Sequence, residues 1–215
     1  NATIGHGLSV APEMMIIKNL NQTDPWVVYH SAVGTGQFLN LNTSGAASGS
    51  GDIFGTPNDT GVAPTSTVFT VGSNHKSGAN GENYIAYCFH SVDSFSKFGS
   101  YTGNGSAAGP IVETGFEPAF LMIKNASIST AGSYWAIYDN KRTPSNPRDT
   151  ILQANSNSAD FDADSLDINF LSNGFQVTGT YDAVNGNGNT FIYIAFASDP
   201  TAAPVLADSF NTTTY

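Results

Sequence analysis

Positive charge is the scarcest thing in this chain. Of 215 residues only 7 are Lys or Arg, against 17 Asp or Glu, for a formal net charge of −10. A nucleic-acid binder neutralises phosphates with clustered bases, so this composition excludes that class. The same shortage argues against docking on anionic lipid. No run approaches the roughly 20 apolar residues that a bilayer-crossing helix needs, so no membrane insertion is expected. Cys88 is the one cysteine, and no internal disulfide can form. Its neighbours Tyr87 and Phe89 suggest a strand, with the thiol buried and structural. Helical patterning is nearly missing too: no long window places apolar residues at i, i+3, i+4 and i+7. The sequence opens with neither an initiator Met nor a signal peptide, and is read as an excised or processed piece of a longer protein.

What is present is a neutral, aromatic-rich β composition. Charged residues make up 11%, well under the usual ~25%. Polarity comes instead from Asn, Ser, Thr and Gly. With 14 Phe, 9 Tyr and 2 Trp, enough apolar surface exists for a packed interior. Such surfaces are typical of extracellular and virion β proteins.

The chain also repeats itself. Pro12-Glu13-Met14-Met15-Ile16-Ile17-Lys18-Asn19, then Trp26-Val27-Val28-Tyr29, returns as Pro118-Ala119-Phe120-Leu121-Met122-Ile123-Lys124-Asn125, then Trp135-Ala136-Ile137-Tyr138. Tyr84-Ile85-Ala86-Tyr87-Cys88-Phe89 returns as Phe191-Ile192-Tyr193-Ile194-Ala195-Phe196. The spacings are 106, 109 and 107 residues (12 to 118, 26 to 135, 84 to 191). Three segments in the same order at a near-constant offset indicate tandem duplication.

Strand signals recur at Met14–Lys18, Trp26–His30, Val68–Gly72, Tyr84–His90, Ser96–Tyr101, Phe120–Lys124, Tyr134–Asp139, Ile151–Gln153, Leu166–Phe170, Phe175–Thr180 and Phe191–Phe196. Five Asn-Gly pairs, at 80, 104, 173, 185 and 187, mark tight turns, because both residues tolerate positive φ. Leu171-Ser172-Asn173-Gly174-Phe175 predicts a hairpin. The Gly/Ser/Thr-rich stretch 42–61 predicts a long surface loop. Together these predict an all-β protein: an antiparallel β-sandwich of two homologous tandem modules, 1–108 and 109–200. Residues 201–215 read as a tail or linker that packs on a neighbour through Val205, Leu206, Phe210 and Tyr215.

Few residues suggest chemistry. His6, His30, His75 and His90 have no metal-pair spacing and read as surface or strand-end residues. No G-x-S-x-G elbow is present, and no enzyme activity and no cofactor are expected. Asp160, Asp162 and Asp164 alternate as carboxylates around Ca²⁺ can, although Ser165 and Leu171 break the EF-hand pattern; the competing reading is a solvated acidic loop. Lys18 and Lys124 recur as a duplicated ligand site or, in the plainer reading, as strand-end residues snorkelling over aromatic surface. Trp26 and Trp135 read as core, while Tyr101, Tyr181 and Tyr215 are the candidates for stacking on sugar. Asn21, Asn58 and Asn125 begin N-x-S/T triplets, read as products of an Asn- and Thr-rich composition.

With the repeat laid out, Gly7…Ala11-Pro12…Ile16-Ile17-Lys18-Asn19…Trp26…Tyr29, the run Lys97-Phe98-Gly99-Ser100-Tyr101-Thr102-Gly103-Asn104-Gly105, and Gly115-Phe116…Pro118-Ala119-Phe120-Leu121-Met122-Ile123-Lys124 carry a resemblance. From about Gly5 to Pro200 the chain resembles a repeat domain of large virion proteins in tailed phages, marine and cyanobacterial ones especially, often found beside laminin-G or concanavalin-like domains. Residues 42–66 and 201–215 fall outside that pattern. The resemblance implies a structural or host-contact role on the particle exterior, as tail fibre, appendage or decoration, and brings no catalytic residues. The expected partners are further copies in a homo-oligomer, other virion proteins and a host-surface glycan. A lectin-like module is the alternative, and a glycan depolymerase a third.

Overall fold

Strands make up nearly all the regular structure, and every strand pairing among the described residues is antiparallel. The structure, a computed structural model, describes residues 1–55, 61–130, 132–198 and 210–215. The first strands in chain order are β1 (Ala2–Gly5), β2 (Met14–Asn19), β3 (Val27–His30), β4 (Gln37–Asn40), β5 (Ser48–Gly49), β6 (Val68–Val71) and β7 (Tyr84–Phe89). Then come β8 (Ser96–Thr102), β9 (Ile111–Glu113), β10 (Pro118–Asn125), β11 (Trp135–Asp139), β12 (Thr150–Gln153), β13 (Phe161–Asp162), β14 (Ile168–Leu171), β15 (Gly174–Val177), β16 (Thr190–Ala197) and β17 (Phe210–Thr214). One four-residue helix, α1 (Asp182–Asn185), precedes β16.

Contacts divide the chain into two units. In the first, a six-stranded sheet of order β17-β7-β2-β3-β4-β5 faces the pair β1-β6. In the second, the order is β8-β16-β10-β11-β12-β13, facing β9-β15-β14. Each unit closes on its own cluster of alternate, inward-facing residues. Met15, Ile17, Tyr29, Phe54, Phe69 and Tyr84 anchor the first cluster. Leu121, Ile123, Tyr138, Phe175, Phe191 and Tyr193 anchor the second.

The duplication holds to the residue. Lys18 would extend the β2–β3 register to Trp26, since Ile17 pairs Val27; Lys124 pairs Trp135 in β10–β11. Ile16 pairs Tyr87, and Met122 pairs Ile194. Val28 pairs Leu39, and Ile137 pairs Leu152. Phe38 pairs Ser48, and Ile151 pairs Phe161. The loops repeat as well. Gly78 N–H bonds the Asn74 carbonyl at 2.8 Å, and Asn185 N–H bonds the Tyr181 carbonyl at 2.9 Å. Gly81 and Gly188 then take φ of +84° and +76° in the matching Asn-Gly turns, a conformation that costs glycine nothing.

The boundaries differ from the expected 1–108, 109–200 and 201–215. The first unit's described residues are 1–42, 47–55, 61–91 and 210–215; the second takes 43–46 and everything described from 92 to 198. The run 96–102, read as the end of the first module, is the edge strand of the second, paired along β16 from Thr102 to Ser96. In the first unit that edge is held by β17, paired along β7 from Phe210 to Thr214. Residues 210–215 are therefore an integral strand rather than a tail. Tyr215 continues the ladder by exchanging backbone bonds with Tyr84 at 2.7 and 3.1 Å. Its ring stacks on Tyr84 at 5.4 Å, as Tyr101 stacks on Phe191 at 4.9 Å. Val205 and Leu206 lie outside the described residues. The predicted loop 42–61 is also anchored: Ile53 and Phe54 are buried in the first core.

Candidate functional site

The duplicated Lys-Asn pair is a turn-holding device. The Lys18 ammonium donates to the Asn19 carbonyl at 2.5 Å and the Gln22 carbonyl at 2.8 Å. The Lys124 ammonium donates to the Asn125 carbonyl at 2.7 Å and the Ser44 carbonyl at 3.2 Å. Each Asn side-chain oxygen accepts from the backbone two residues on, from Asn21 at 2.8 Å and Ser127 at 2.9 Å. Each Asn amide donates at 2.6 Å across to a loop carbonyl, of His75 in one unit and Asp182 in the other. This is local side-chain capping of orphan backbone groups. Sequence reading found the lysines; the carbonyls they serve have no signature. Asn125, which begins one of the N-x-S/T triplets, is fully buried and unavailable for glycosylation, whereas Asn21 is exposed. Asn58 lies outside the described residues.

Lys124 has no exposed surface, and burial lowers its pKa from 10.5 to about 8. Above pH 8 the folded chain has released a proton that the unfolded chain keeps, so stability rises with pH until the unfolded lysine titrates. Between pH 8 and 10 the wild type should gain roughly 2 kcal/mol over Lys124→Met, at about 1.4 kcal/mol per unit at most. Denaturant titrations at both pH values measure this; a difference that stays constant with pH contradicts it.

The first unit adds ionisable groups around its copy of the device. The Asn19 amide also reaches Asp24 at 3.3 Å, the Tyr84 hydroxyl at 3.4 Å and Glu82. The Tyr84 hydroxyl, with one proton to donate, has two acceptors within reach, Glu82 at 3.0 Å and the His75 carbonyl at 2.9 Å. Gln22 donates to Glu82 at 3.0 Å, and His75 pairs with Asp24 at 2.8 Å. Burial raises the Tyr84 hydroxyl to about 12. At Glu82, desolvation pushes upward, but the donors Asn19, Tyr84 and Gln22 outweigh it and the carboxyl is lowered. The matching positions of the second unit carry Asp182, Asn189 and Phe191 for His75, Glu82 and Tyr84. Beside this network lies a cleft of about 290 Å³ edged by Asn1, Asn80, Glu82, Tyr84 and Tyr215.

The aromatic expectations need correction. Ala136 and Tyr138 face the second core, so Trp135 and Ile137 lie on the sheet's other face. Trp135 is covered there, 1% exposed, whereas Trp26 at the same place in the first unit is 36% exposed. Trp26 heads a row of rings: it lies 6.3 Å from Tyr87, which stacks on Phe210 at 6.2 Å, which meets Phe89 at 5.0 Å. Of the three tyrosines proposed for sugar stacking, Tyr101 is buried, its hydroxyl donating to the Val184 carbonyl at 2.6 Å. Tyr215 is wedged against Phe69 and Tyr84, its hydroxyl on the Ser77 carbonyl at 3.0 Å. Only Tyr181 is exposed, at 41%. Cys88 is buried as expected, and burial lifts its thiol to about 12.

Asp160, Asp162 and Asp164 are all exposed, on and beside β13. Among the described residues no group of three or more His, Cys, Asp or Glu is placed to hold a metal ion, so these three are not gathered into a ligand set. The perturbed carboxyl there is Asp167, raised to about 6 by desolvation and by the charges of Asp164, Asp149 and Asp162. His30 ends β3 and His90 directly follows β7, strand ends as expected, but neither lies at the surface. His6, His30 and His90 are buried. His6 bonds the Thr65 carbonyl at 3.0 Å, and His30 accepts from Ala32 N–H at 3.2 Å, capping a turn.

The geometry defines a duplicated antiparallel β-sandwich chain whose repeated polar residues hold backbone turns. Residues 1–200 match the family model described as "Domain of unknown function (DUF7483)", and the chain belongs to that family. The match extends over both repeats and stops before β17, so the family's domain covers more than a single repeat. No curated protein and no solved structure matches the chain.

Proposed function

We propose that this chain is a non-enzymatic structural protein of a phage virion, set on the particle exterior as a tail fibre, appendage or decoration, and assembled with further copies and other virion proteins. The observation that carries the reading is the nature of what the duplication kept. Strand pairings, turn-holding Lys-Asn pairs and edge strands recur in both units. Glu82 and Tyr84 of the first unit's cleft do not recur, Asn189 and Phe191 standing in their places. Duplication that preserves scaffold and lets side-chain chemistry drift suits a building block, and the resemblance to phage repeat domains points the same way. Gold-labelled antibody against this chain, viewed on virions by electron microscopy, tests it. Label on the particle exterior is expected; a chain missing from purified particles contradicts the reading. Release of sugar from host polysaccharide by the purified chain would contradict its non-enzymatic part.

The second reading, host-glycan binding, is favoured by the row Trp26–Tyr87–Phe210. Trp26 is exposed and Tyr87 and Phe210 are half-buried, and aromatic rings offer apolar faces to sugars. On a glycan array this reading predicts binding that Trp26→Ala removes, and a blank array contradicts it.

A further inference from the structure

The two sheet edges that match in space are filled from different places in the chain. In the second unit, β8 comes first in the chain, ahead of β9 to β16, and pairs with β16. In the first, β17 arrives from the far C-terminal end, 121 residues beyond Phe89. Among the described residues it pairs only with β7 and is the outermost strand of its sheet. An outermost strand leaves one row of backbone groups unpaired and is held from one side only. Its sequence, Phe210-Asn211-Thr212-Thr213-Thr214-Tyr215, contributes little core. Thr212 and Thr214 are exposed, and the rest are half-buried. What holds it is the backbone ladder, with Phe210 against Tyr87 and Phe89 at one end and Tyr215 against Tyr84 and Phe69 at the other. That is how a strand added to a sheet edge is recognised: main-chain bonds give affinity and a few side-chain pockets give specificity.

The fit is selective. On β8, Gly99 lies opposite Tyr193, and a Cβ built there would come 2.6 Å from the Tyr193 hydroxyl. The corresponding pair in the first unit is Thr213 opposite Ala86. Large and small have changed sides. A strand carrying Thr213 fits the edge beside Ala86 and not the edge beside Tyr193. Gly7 adds to the match: a Cβ there would meet the Asn211 amide at 2.3 Å.

We infer that residues 210–215 are a donor strand, and that the β7 edge of the first unit in a second copy of this chain accepts it in the same register. Copies would then join by exchanging an element each already has, a low-cost route to assembly. The inference deepens the assembly reading above by naming its contact, and it stands on the strand geometry without the virion placement.

Cys88 and residue 211 are register partners, which supplies a direct test with full-length chains. The donor copy carries Cys88→Ser and Asn211→Cys, so its new thiol has no partner within its own chain. The acceptor is the wild-type chain with a tag that changes its size. Mixed under native, mildly oxidising conditions, the two should form a disulfide-linked heterodimer that accumulates with time. It should be lost when the acceptor also carries Cys88→Ser. A single chain with Asn211→Cys and native Cys88 serves as the control, and should close an intrachain disulfide. Control closure without any heterodimer overturns exchange and leaves virion location to the microscopy. Failure of the control to close overturns the register itself, and the proposal with it.

Discussion

Trp135→Ala is expected to cost about 3–5 kcal/mol of stability, and Trp26→Ala only about 1 kcal/mol. The two tryptophans occupy equivalent positions of the two six-stranded sheets, each beside the lysine of the turn device. They differ in cover. Trp135 is 1% exposed and Trp26 36% exposed. Removing a covered indole loses its transfer free energy and leaves a cavity; removing a half-exposed one loses part of the transfer term and opens no cavity. Denaturant unfolding of both variants checks this. Equal losses would mean that the two positions are equally covered, and the aromatic-row reading of the first unit would fall.

Deleting residues 210–215 should lower the stability of the first unit and separate its unfolding from that of the second. The strand contributes two half-buried aromatic side chains at roughly 1–2 kcal/mol each. Its ladder bonds along β7 add roughly 0.5–1.5 kcal/mol apiece, before the entropy of ordering six residues is deducted. The second unit has its own edge strand, β8, and should melt as before. Two unfolding transitions are therefore expected in the truncated chain, the earlier one absent from the wild type. A single unchanged transition would return 210–215 to the status of a tail. Tyr215→Ala alone should recover a large part of the effect, since it removes the stack on Tyr84 and the bond to the Ser77 carbonyl together.

Much of this architecture was legible because duplication is itself a signal. The offsets of Lys18 to Lys124, Trp26 to Trp135 and Tyr87 to Ile194 predicted the strand equivalences that the registers show. The C-terminal strand was missed because Asn211-Thr212-Thr213-Thr214 has no apolar alternation. A cue was nonetheless present: Asp208-Ser209-Phe210 leads to Tyr215 much as Asp93-Ser94-Phe95 leads to Tyr101. For Trp135, alternation separated the faces of β11 correctly but could not say which face met the core. Ala136 and Tyr138 face it, so the largest side chain lies on the other side. The short strands β5 and β13 pair only two residues each, too few for any periodicity.

The candidate sites were less legible for a different reason. Spacing picked Asp160, Asp162 and Asp164, yet the carboxyl most affected by neighbours is Asp167, and one of those neighbours, Asp149, adjoins β12. Likewise the acceptors of Asn19 and Asn125 are backbone carbonyls more than 50 residues away. Residue type carries no trace of a backbone partner. Tyr84 meets Asn19 as its register partner on β7, Asp24 comes from the β2–β3 connection and Glu82 from the turn before β7, a convergence that no local pattern encodes.

The central claim is that one strand plan is built twice and that the C-terminal strand completes the first copy. Backbone amide hydrogen exchange over residues 210–215 tests it most directly. The Tyr215 amide donates to the Tyr84 carbonyl, so it and the ladder amides of β17 should exchange slowly, with protection approaching that of β7, its partner in the same sheet. Exchange of the whole segment at the rate of an unstructured peptide would contradict the account.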